Sequence, residues 1–512
     1  MQVELSFTAA DAHAASVVWG QRAGGRRGSA GAVCAVRAAL LTLSMLAAVA
    51  SAQVSATEPA RPAPHPNGPA DPSGLVASHG EPQMLYLLDL VREMDRPGRG
   101  TPLPVTRERI ARAVLVHPEV AAVNASQRSA QAATREAQAG WLPSIGATVE
   151  AAYRRADANI RLNVPEYRYE TGIVALNLRQ SVFDFGATRA SVAASREREA
   201  AIAARVDNRK ADLALRAVQA WLDVYHSRRI LRLALLNVQA REAMVGFLRQ
   251  RQELGGGPGS DVARAQSRLA EARAAIAANQ ARVQSSAAVY REFFGVDPER
   301  QLDIPGLPEL DPAAVAGAAA DVAREFPAVR SAAAAQRAAE FDRDALHART
   351  LPQLGLEVNA LRRDLVGPGK ASNEYNAALV LRYSFYGGGA DTARDAQAAE
   401  RVVEASEQTR SVTLQVERSL AQAIAEDATT RAVLAARRDG VVLAVDSMRA
   451  VREQFAARRG SLLDMLTAQE SVHAAGVALV DAEVDQVLER WRVLYFSTAL
   501  APLFDAQDGP GR

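Results

Sequence analysis

The sequence is poor in the residue types from which many functional sites are built. Cys34 is the only cysteine, which excludes a disulfide framework and any cysteine-based zinc or iron–sulfur site. Lysine occurs only at Lys210 and Lys370, and aromatic residues make up 5% of the 512 residues. The formal net charge of +2 lacks the concentrated positive field that binding to nucleic acid requires. The alanine-, arginine- and glutamate-rich remainder favours long helices.

The N-terminus has the pattern of a bacterial secretory signal. Four arginines precede an apolar run from Ala38 to Ala50, and small residues follow up to Ala52. This pattern predicts cleavage between Ala52 and Gln53. A membrane helix is the alternative, but the run would span only about 20 Å, and no later segment is apolar enough. We assign 1–52 to the signal peptide and 53–104 to a disordered linker and N-terminal segment.

Two copies of one unit make up most of the remaining chain. The segment Leu142-Pro143-Ser144-Ile145-Gly146 recurs about 200 residues later as Leu351-Pro352-Gln353-Leu354-Gly355. Leu178-Arg179-Gln180-Ser181 recurs in the same order as Leu381-Arg382-Tyr383-Ser384. A repeat of this length predicts a duplicated domain. We place the first copy at 105–296, a linker at 297–312, the second copy at 313–500 and a C-terminal tail at 501–512.

Each copy contains two segments in which apolar and polar residues alternate. Apolar residues from Ile145 to Ala151 alternate with Thr148 and Glu150, and the second copy repeats the pattern around Glu357. Such strands, with aromatic residues near their ends, are typical of outer-membrane barrels, and a soluble hairpin packed on a core is the alternative. The candidate aromatic girdle consists of Trp141, Tyr153, Tyr169, Phe183, Tyr375 and Phe385.

Four strands in one chain are too few to close a barrel in lipid. Unpaired backbone groups at a sheet edge cost several kcal/mol each in a bilayer. We therefore expect the barrel to close between chains, and three chains would supply twelve strands.

Two proline-free stretches predict the longest helices. Proline is absent from Gly186 to Leu254 and from Gly389 to Gly460. Roughly 70 helical residues would form a rod about 100 Å long. Apolar residues recur every seven positions and glycine-containing turns follow, so each stretch is expected to fold back as a coiled-coil hairpin. An intracellular coiled-coil scaffold is the alternative, but it explains neither the signal nor the strands.

Motifs for catalysis or for cofactor binding are missing from the sequence. Gly387-Gly388-Gly389 lies between a strand and a helix, where phosphate-binding loops also lie, but no Gly-Lys-Ser/Thr follows. The seven histidines are scattered and show no paired metal-ligand spacing. We therefore predict that the protein is not an enzyme and has no cofactor or metal site.

The order of these features resembles the TolC family of outer-membrane efflux and secretion channels. The resemblance includes the elements Phe183-Asp184-Phe185-Gly186 and Gly460–Gln469 and extends over residues 105–500. It implies a mostly α fold with a small β part, in which duplicated strand–strand–long-helix units assemble as a homotrimer. That trimer has a twelve-stranded transmembrane β-barrel, continued by a twelve-helix α-barrel in the periplasm. The implied location is the outer membrane of a Gram-negative bacterium.

The resemblance also implies a gate at the periplasmic tip of the helices. Asp261 matches the acidic residue of the first turn, and Asp464 matches the first aspartate of a constricting ring. Three Asp464 carboxylates would then meet on one axis, whereas the alternative is an ordinary carboxylate at a helix N-terminus. The second ring aspartate of the family corresponds to Thr467, and the closing tyrosine to Phe455. The candidates for a substitute latch are Glu253, Arg458 and Arg459.

The cargo class is read from two short segments. Arg459–Asp464 and Arg490–Tyr495 are more similar to family members that serve type I secretion. That branch implies an inner-membrane ABC transporter, a periplasmic adaptor (a membrane fusion protein) and an unfolded protein cargo, such as a repeat-in-toxin (RTX) protein or an adhesin. The alternative is the channel of a small-molecule or multidrug efflux pump. Outer-membrane lipid is an expected partner in both cases, and nucleic acid is not.

Overall fold

The computed structural model describes residues 80–94, 96, 100–156, 167–307, 311–363 and 371–497. The mostly α class with a small β part is confirmed. The predicted cleavage site at Ala52 and Gln53 lies outside the described residues. Within the described ranges, no helix has the length and hydropathy of a membrane span.

The helices are α1 (Glu81–Met94), α2 (Leu103–Val116), α3 (Pro118–Gln138), α4 (Ala187–Glu253), α5 (Gly259–Phe294), α6 (Pro312–Gly317), α7 (Ala319–Glu325), α8 (Pro327–Arg349), α9 (Ala390–Ala456) and α10 (Leu462–Phe496). The strands are β1 (Ser144–Ala156), β2 (Tyr167–Phe183), β3 (Gln353–Arg363) and β4 (Ser372–Arg382).

The four strands form one antiparallel sheet in chain order, β1-β2-β3-β4. Ile145 of β1 pairs with Leu178 of β2, which pairs in turn with Val358 of β3. Leu356 of β3 pairs with Leu379 of β4. Because side chains alternate between faces, this register places most of the apolar residues of the four strands on one face. In the described part of the chain, β1 and β4 each pair with a single neighbour, so both outer edges of the sheet are open.

The two long helices have the same length. Helices α4 and α9 each contain 67 residues, which corresponds to about 100 Å. Each follows a glycine with a left-handed backbone, Gly186 with φ 89° and Gly389 with φ 83°. Glycine adopts this conformation without the strain that a Cβ would cause, so each strand can turn sharply into its helix. Prolines are absent from both helix interiors, as the sequence showed.

Helices α4 and α9 fold back on shorter partners to form two hairpins. Helix α5 packs against α4, and α10 packs against α9. A large apolar cluster, which includes Val245, Leu269, Val441 and Leu479, draws on all four of these helices. A second cluster joins α2, α4, α5 and α10 around Trp491. The hairpins are therefore packed on each other, and each ends in one of the two turns described below.

The structure contains a helix that the sequence analysis did not predict. Segment 53–104 was assigned to a linker and an N-terminal segment, yet Glu81–Met94 forms α1. Met84, Leu87, Leu90 and Met94 of this helix are buried against the hairpins. The burial of these four apolar side chains stabilises a helix of only 14 residues, a length that is marginal in isolation.

Candidate functional site

The turn between α4 and α5 is a compact loop made largely of glycine. The amide of Leu254 donates to the Gln250 carbonyl at 3.1 Å, and that of Gly256 donates to the Arg251 carbonyl at 2.9 Å. Gly255 between them has φ 74°, in the left-handed region that favours glycine. The Arg251 side chain closes the loop, because its Nε donates to the Gly256 carbonyl at 2.9 Å.

The turn between α9 and α10 is held by backbone hydrogen bonds to the end of α9. The amides of Arg459 and Gly460 donate to the Gln454 carbonyl at 2.9 and 3.2 Å. Arg458 has φ 59°, a left-handed conformation that costs a residue with a Cβ about 1 kcal/mol. The arginine-rich turn is thus more strained than the glycine-rich one.

Asp464 belongs to a capping box at the start of α10. Its amide donates to the Ser461 hydroxyl oxygen at 3.2 Å. In return, the Ser461 hydroxyl and amide donate to Asp464 Oδ2 at 2.7 and 3.1 Å. These hydrogen bonds from Ser461 hold the pKa of the Asp464 carboxyl below its usual value, so the group is ionised near neutral pH. The helix-terminal role of Asp464 is therefore observed, and its place in a ring of three chains stays a prediction.

Phe455 links the second hairpin to the first near the two turns. Its ring is buried and makes an edge contact with Phe247 of α4, with ring centroids 6.0 Å apart. The Arg251 guanidinium carbon lies 5.8 Å from the centroid of the Phe455 ring. Phe247 and Arg251 were not among the residues singled out from the sequence. Each is a single large side chain near the end of α4, and no repeat or motif marks it.

The other predicted tip residues lie on the surface of the two turns. Thr467, Glu253, Arg458 and Arg459 are exposed, and Asp261 in the first turn of α5 is half-buried. Among the described residues, the side chains of Glu253, Arg458 and Arg459 make no hydrogen bond or ion pair within the single chain. Glu253 is therefore not paired with either arginine within one protomer, and a latch made of these residues would have to join neighbouring chains.

The polar face of the sheet carries ion pairs and amides. Arg179 of β2 and Arg382 of β4 both pair with Glu357 of β3, the former at 4.0 Å. Arg363 pairs with Glu374 at 3.2 Å farther along β3 and β4. Three asparagines lie opposite one another in a row across three strands. These are Asn177, Asn359 and Asn376.

The opposite face of the sheet is apolar and uncovered in the single chain. Val149 and Ile145 of β1 are 75% and 73% exposed, and Leu379 and Leu381 of β4 are 68% and 66% exposed. A contiguous apolar face of this kind marks a surface that meets another apolar medium or protein. Polar and apolar faces of one sheet fit a wall between water and lipid.

Aromatic residues lie at two levels of the sheet. Trp141, Phe183 and Phe385 are near the helical end, and Phe385 lies beyond β4 in the corner before α9. Tyr153 and Tyr375 lie toward the other end of β1 and β4. Tyr375 and Phe385 are ten residues apart, or about 33 Å along an extended strand. At the tilt of roughly 40° that barrel strands have, this corresponds to a height of about 25 Å, which matches that of a lipid-facing band. The side chain of Tyr169 lies outside the described residues, and the girdle stays a prediction.

Metal ligands do not cluster in the part of the chain that the structure describes. No group of three or more His, Cys, Asp and Glu side chains there could hold an ion.

Comparisons with known proteins agree with this geometry. The family model for outer membrane efflux proteins matches residues 110–293 and 321–499. The chain is 30% identical over 332 residues to the outer membrane efflux protein BepC of Brucella suis biovar 1 (strain 1330). The aligned region covers 64% of this chain and 72% of BepC. Its fold is similar to that of a Pseudomonas aeruginosa membrane protein, with a TM-score of 0.68, 18% identity and coverage of 77% of this chain and 93% of that one. It is also similar to VceC from Vibrio cholerae, with a TM-score of 0.67, 18% identity and coverage of 77% and 96%.

Proposed function

Because this chain belongs to the outer membrane efflux protein family of TolC-type channels, we propose that it is the channel of a small-molecule efflux pump. Channels of this family lie in the outer membrane, extend into the periplasm and are not enzymes. They work with a periplasmic adaptor and an inner-membrane pump. The proposal adds a cargo class and a homotrimeric state for this chain.

The two-faced sheet with open edges carries the proposal of a shared channel. In lipid, the unpaired backbone groups of β1 and β4 must find partners, and further copies of the same sheet supply them. Three copies would close a wall of twelve strands with the asparagine row and the Arg179–Glu357–Arg382 pairs facing water. The same closure would direct Val149 and Leu379 toward lipid.

Small-molecule efflux is favoured by the name of the curated relative. BepC is called an outer membrane efflux protein, and the matched region includes most of its length. Type I secretion of an unfolded protein is the second candidate. It is favoured by the segments Arg459–Asp464 and Arg490–Tyr495, which resemble those of secretion channels. In that case the inner-membrane partner would be an ABC transporter.

Deletion of the gene separates the two candidates. We expect the deletion strain to become sensitive to several unrelated antibiotics, dyes or detergents, while its set of secreted large proteins stays unchanged. The measurements are minimum inhibitory concentrations and mass spectrometry of the culture medium, with a strain complemented by the wild-type gene as the control. Loss of one large secreted protein with unchanged drug sensitivity would instead establish the secretion role. An unchanged strain in both assays would contradict both candidates.

A further inference from the structure

Helix α1 lies across the two hairpins rather than apart from them. Its buried face joins residues of α4, α5, α9 and α10 in the large apolar cluster. Its opposite face is polar apart from Leu85, and the exposed side chains of Asp89 and Arg92 pair with each other at 3.2 Å. The helix is therefore amphipathic, and the hairpins of its own chain cover its apolar side.

Leu87 is the central contact of α1. Its side chain is fully buried and lies over Gly476 of α10. A Cβ added at Gly476 would lie 2.7 Å from Leu87 Cδ2 and 3.5 Å from Leu233 Cδ1 of α4. The absence of a side chain at Gly476 thus makes room for Leu87 between a helix of the first hairpin and a helix of the second.

Polar contacts fix α1 to both hairpins as well. Arg229 of α4 donates to Glu93 at 3.1 Å and to the Tyr86 hydroxyl at 3.2 Å. On the other side, the amide nitrogen of Gln83 lies 3.4 Å from Nδ1 of His473 on α10. The Arg229–Glu93 ion pair and the two further polar contacts fix the position of α1, so they favour one register of α1 on the hairpins.

Helix α1 lies in the part of the hairpins where their separation would break its contacts with one of them. Arg229 lies about 36 Å from the end of α4 at Glu253, and Gly80, just before α1, lies near Ala240, about 20 Å from that end. Two turns that move apart carry the adjoining parts of their hairpins with them, and α1 contacts both hairpins in that part.

We propose that α1 is a strap that ties the first hairpin to the second and restrains the separation of the two turns. Release of α1 is then a step in the full opening of the periplasmic end. The proposal rests on the channel architecture and is independent of the cargo class. It assigns a role to a segment that precedes both copies of the duplicated unit.

Conductance of the full-length protein tests the strap. Leu87→Ala removes the central contact, and Gly476→Ala puts a methyl group into its place. For both variants we expect a rise of about twofold or more in mean single-channel conductance in planar bilayers, with faster amide exchange in α1. Leu85→Ala, at an exposed position of α1, and Gly440→Ala, at an uncrowded helical glycine of α9, are the matched controls. Faster exchange in α1 with unchanged conductance would overturn the proposal, as would an equal rise in the controls.

A reversible cross-link gives a second test that does not depend on weakened packing. Gln83→Cys with His473→Cys, in a Cys34→Ser background, would join α1 to α10 on oxidation. We expect oxidised channels to stay at the lowest conductance level of the wild type and a reductant to restore the higher levels. Leu85→Cys with His473→Cys is the control, because Leu85 is on the exposed side of α1. Equal behaviour of the oxidised and reduced channels would overturn the strap, whereas a wild type that forms no channel would overturn the channel function itself.

Discussion

The guanidinium of Arg251 in the first hairpin lies against the ring of Phe455 in the second, 5.8 Å from its centroid. The same guanidinium group donates to the Gly256 carbonyl in the adjoining turn. One side chain therefore connects the shape of the first turn to the packing of the second hairpin. A second contact that joins the two hairpins close to the turns is the ring pair of Phe247 and Phe455.

The Arg251–Phe455 contact is expected to contribute measurably to the rigidity of the second turn. Arg251→Ala should lower the local opening free energy of the Ala457 amide by about 1 kcal/mol, the size of a half-exposed cation–π contact. In a Phe455→Leu background, the same change should have little further effect. Hydrogen exchange of the purified protein measures both values. Arg249→Ala, at an exposed arginine of the same helix, should leave the exchange unchanged, and an equal effect there would remove the contact as the cause.

Asp464 combines a capping role with a predicted role in the constriction, and two substitutions separate these roles. Asp464→Asn keeps an oxygen that can accept the Ser461 hydrogen bonds, whereas Asp464→Ala removes it. Both should weaken the block of single-channel current by multivalent cations, because both remove the charge. Only Asp464→Ala should also loosen the first turn of α10, by about 1 kcal/mol. The charge-matched control is Asp439→Asn, which removes an exposed carboxylate of α9 away from the turn. Block at wild-type strength in Asp464→Asn would show that this carboxylate is not in the constriction.

The two faces of β4 should differ sharply in their tolerance of a charge. Leu379→Arg puts a cation on the apolar face and should destabilise the assembled barrel by about 2–4 kcal/mol. Asn376→Arg puts the same cation on the polar face of the same strand and should leave assembly nearly unchanged. The amount of heat-resistant oligomer in isolated outer membranes measures the difference. Equal loss of oligomer for both variants would contradict the assignment of the faces.

Glu489 of α10 should make stability fall as the pH rises toward neutrality. Burial raises the pKa of its carboxyl from 4.5 to about 7, although Arg492 lies 2.7 Å away. The folded protein therefore holds the proton more tightly than the unfolded chain does. Stability is lost between about pH 4.5 and pH 7, on the order of 3 kcal/mol in all, and the loss is complete above pH 7.

Glu489→Gln removes the titrating group and should flatten this pH dependence. The measurement is the midpoint temperature of thermal unfolding of the detergent-solubilised protein at about pH 5.5 and about pH 8. Glu400→Gln, at an exposed position of α9, should behave like the wild type. A wild-type midpoint that rises over this range, or stays level, would show that Glu489 does not titrate near neutral pH.

The elements that could be predicted from the sequence are those with a strong local signal. The alternation around Ile145 and Glu150 predicted β1, and the proline-free stretches predicted α4 and α9 nearly to their ends. These features depend on residues close in the chain, which is why one sequence is enough to find them. The open edges of a four-stranded sheet were expected from the same alternation, whereas the pairing register of the strands was not predicted.

The contacts that the sequence did not reveal join distant parts of the chain. Arg251 and Phe455 come from different copies, and nothing in either copy marks them as partners. Helix α1 was missed for another reason. Met84, Leu87, Val91 and Met94 do recur at helical spacing, but the segment is short and follows a proline-rich stretch. Its stability comes from the notch at Gly476, which only the folded hairpins create.

The equal length of α4 and α9 has a consequence for the periplasmic end. Both helices start at the sheet and contain 67 residues, so their turns end at one level. In a threefold assembly, the six turns would then form an even rim in which glycine-rich and arginine-rich turns alternate. A protein that binds this rim would meet six turns at nearly equal spacing, but the turns are of two kinds that alternate around the axis. It could therefore dock in either of two orientations, which differ in the charge of the turns that it contacts.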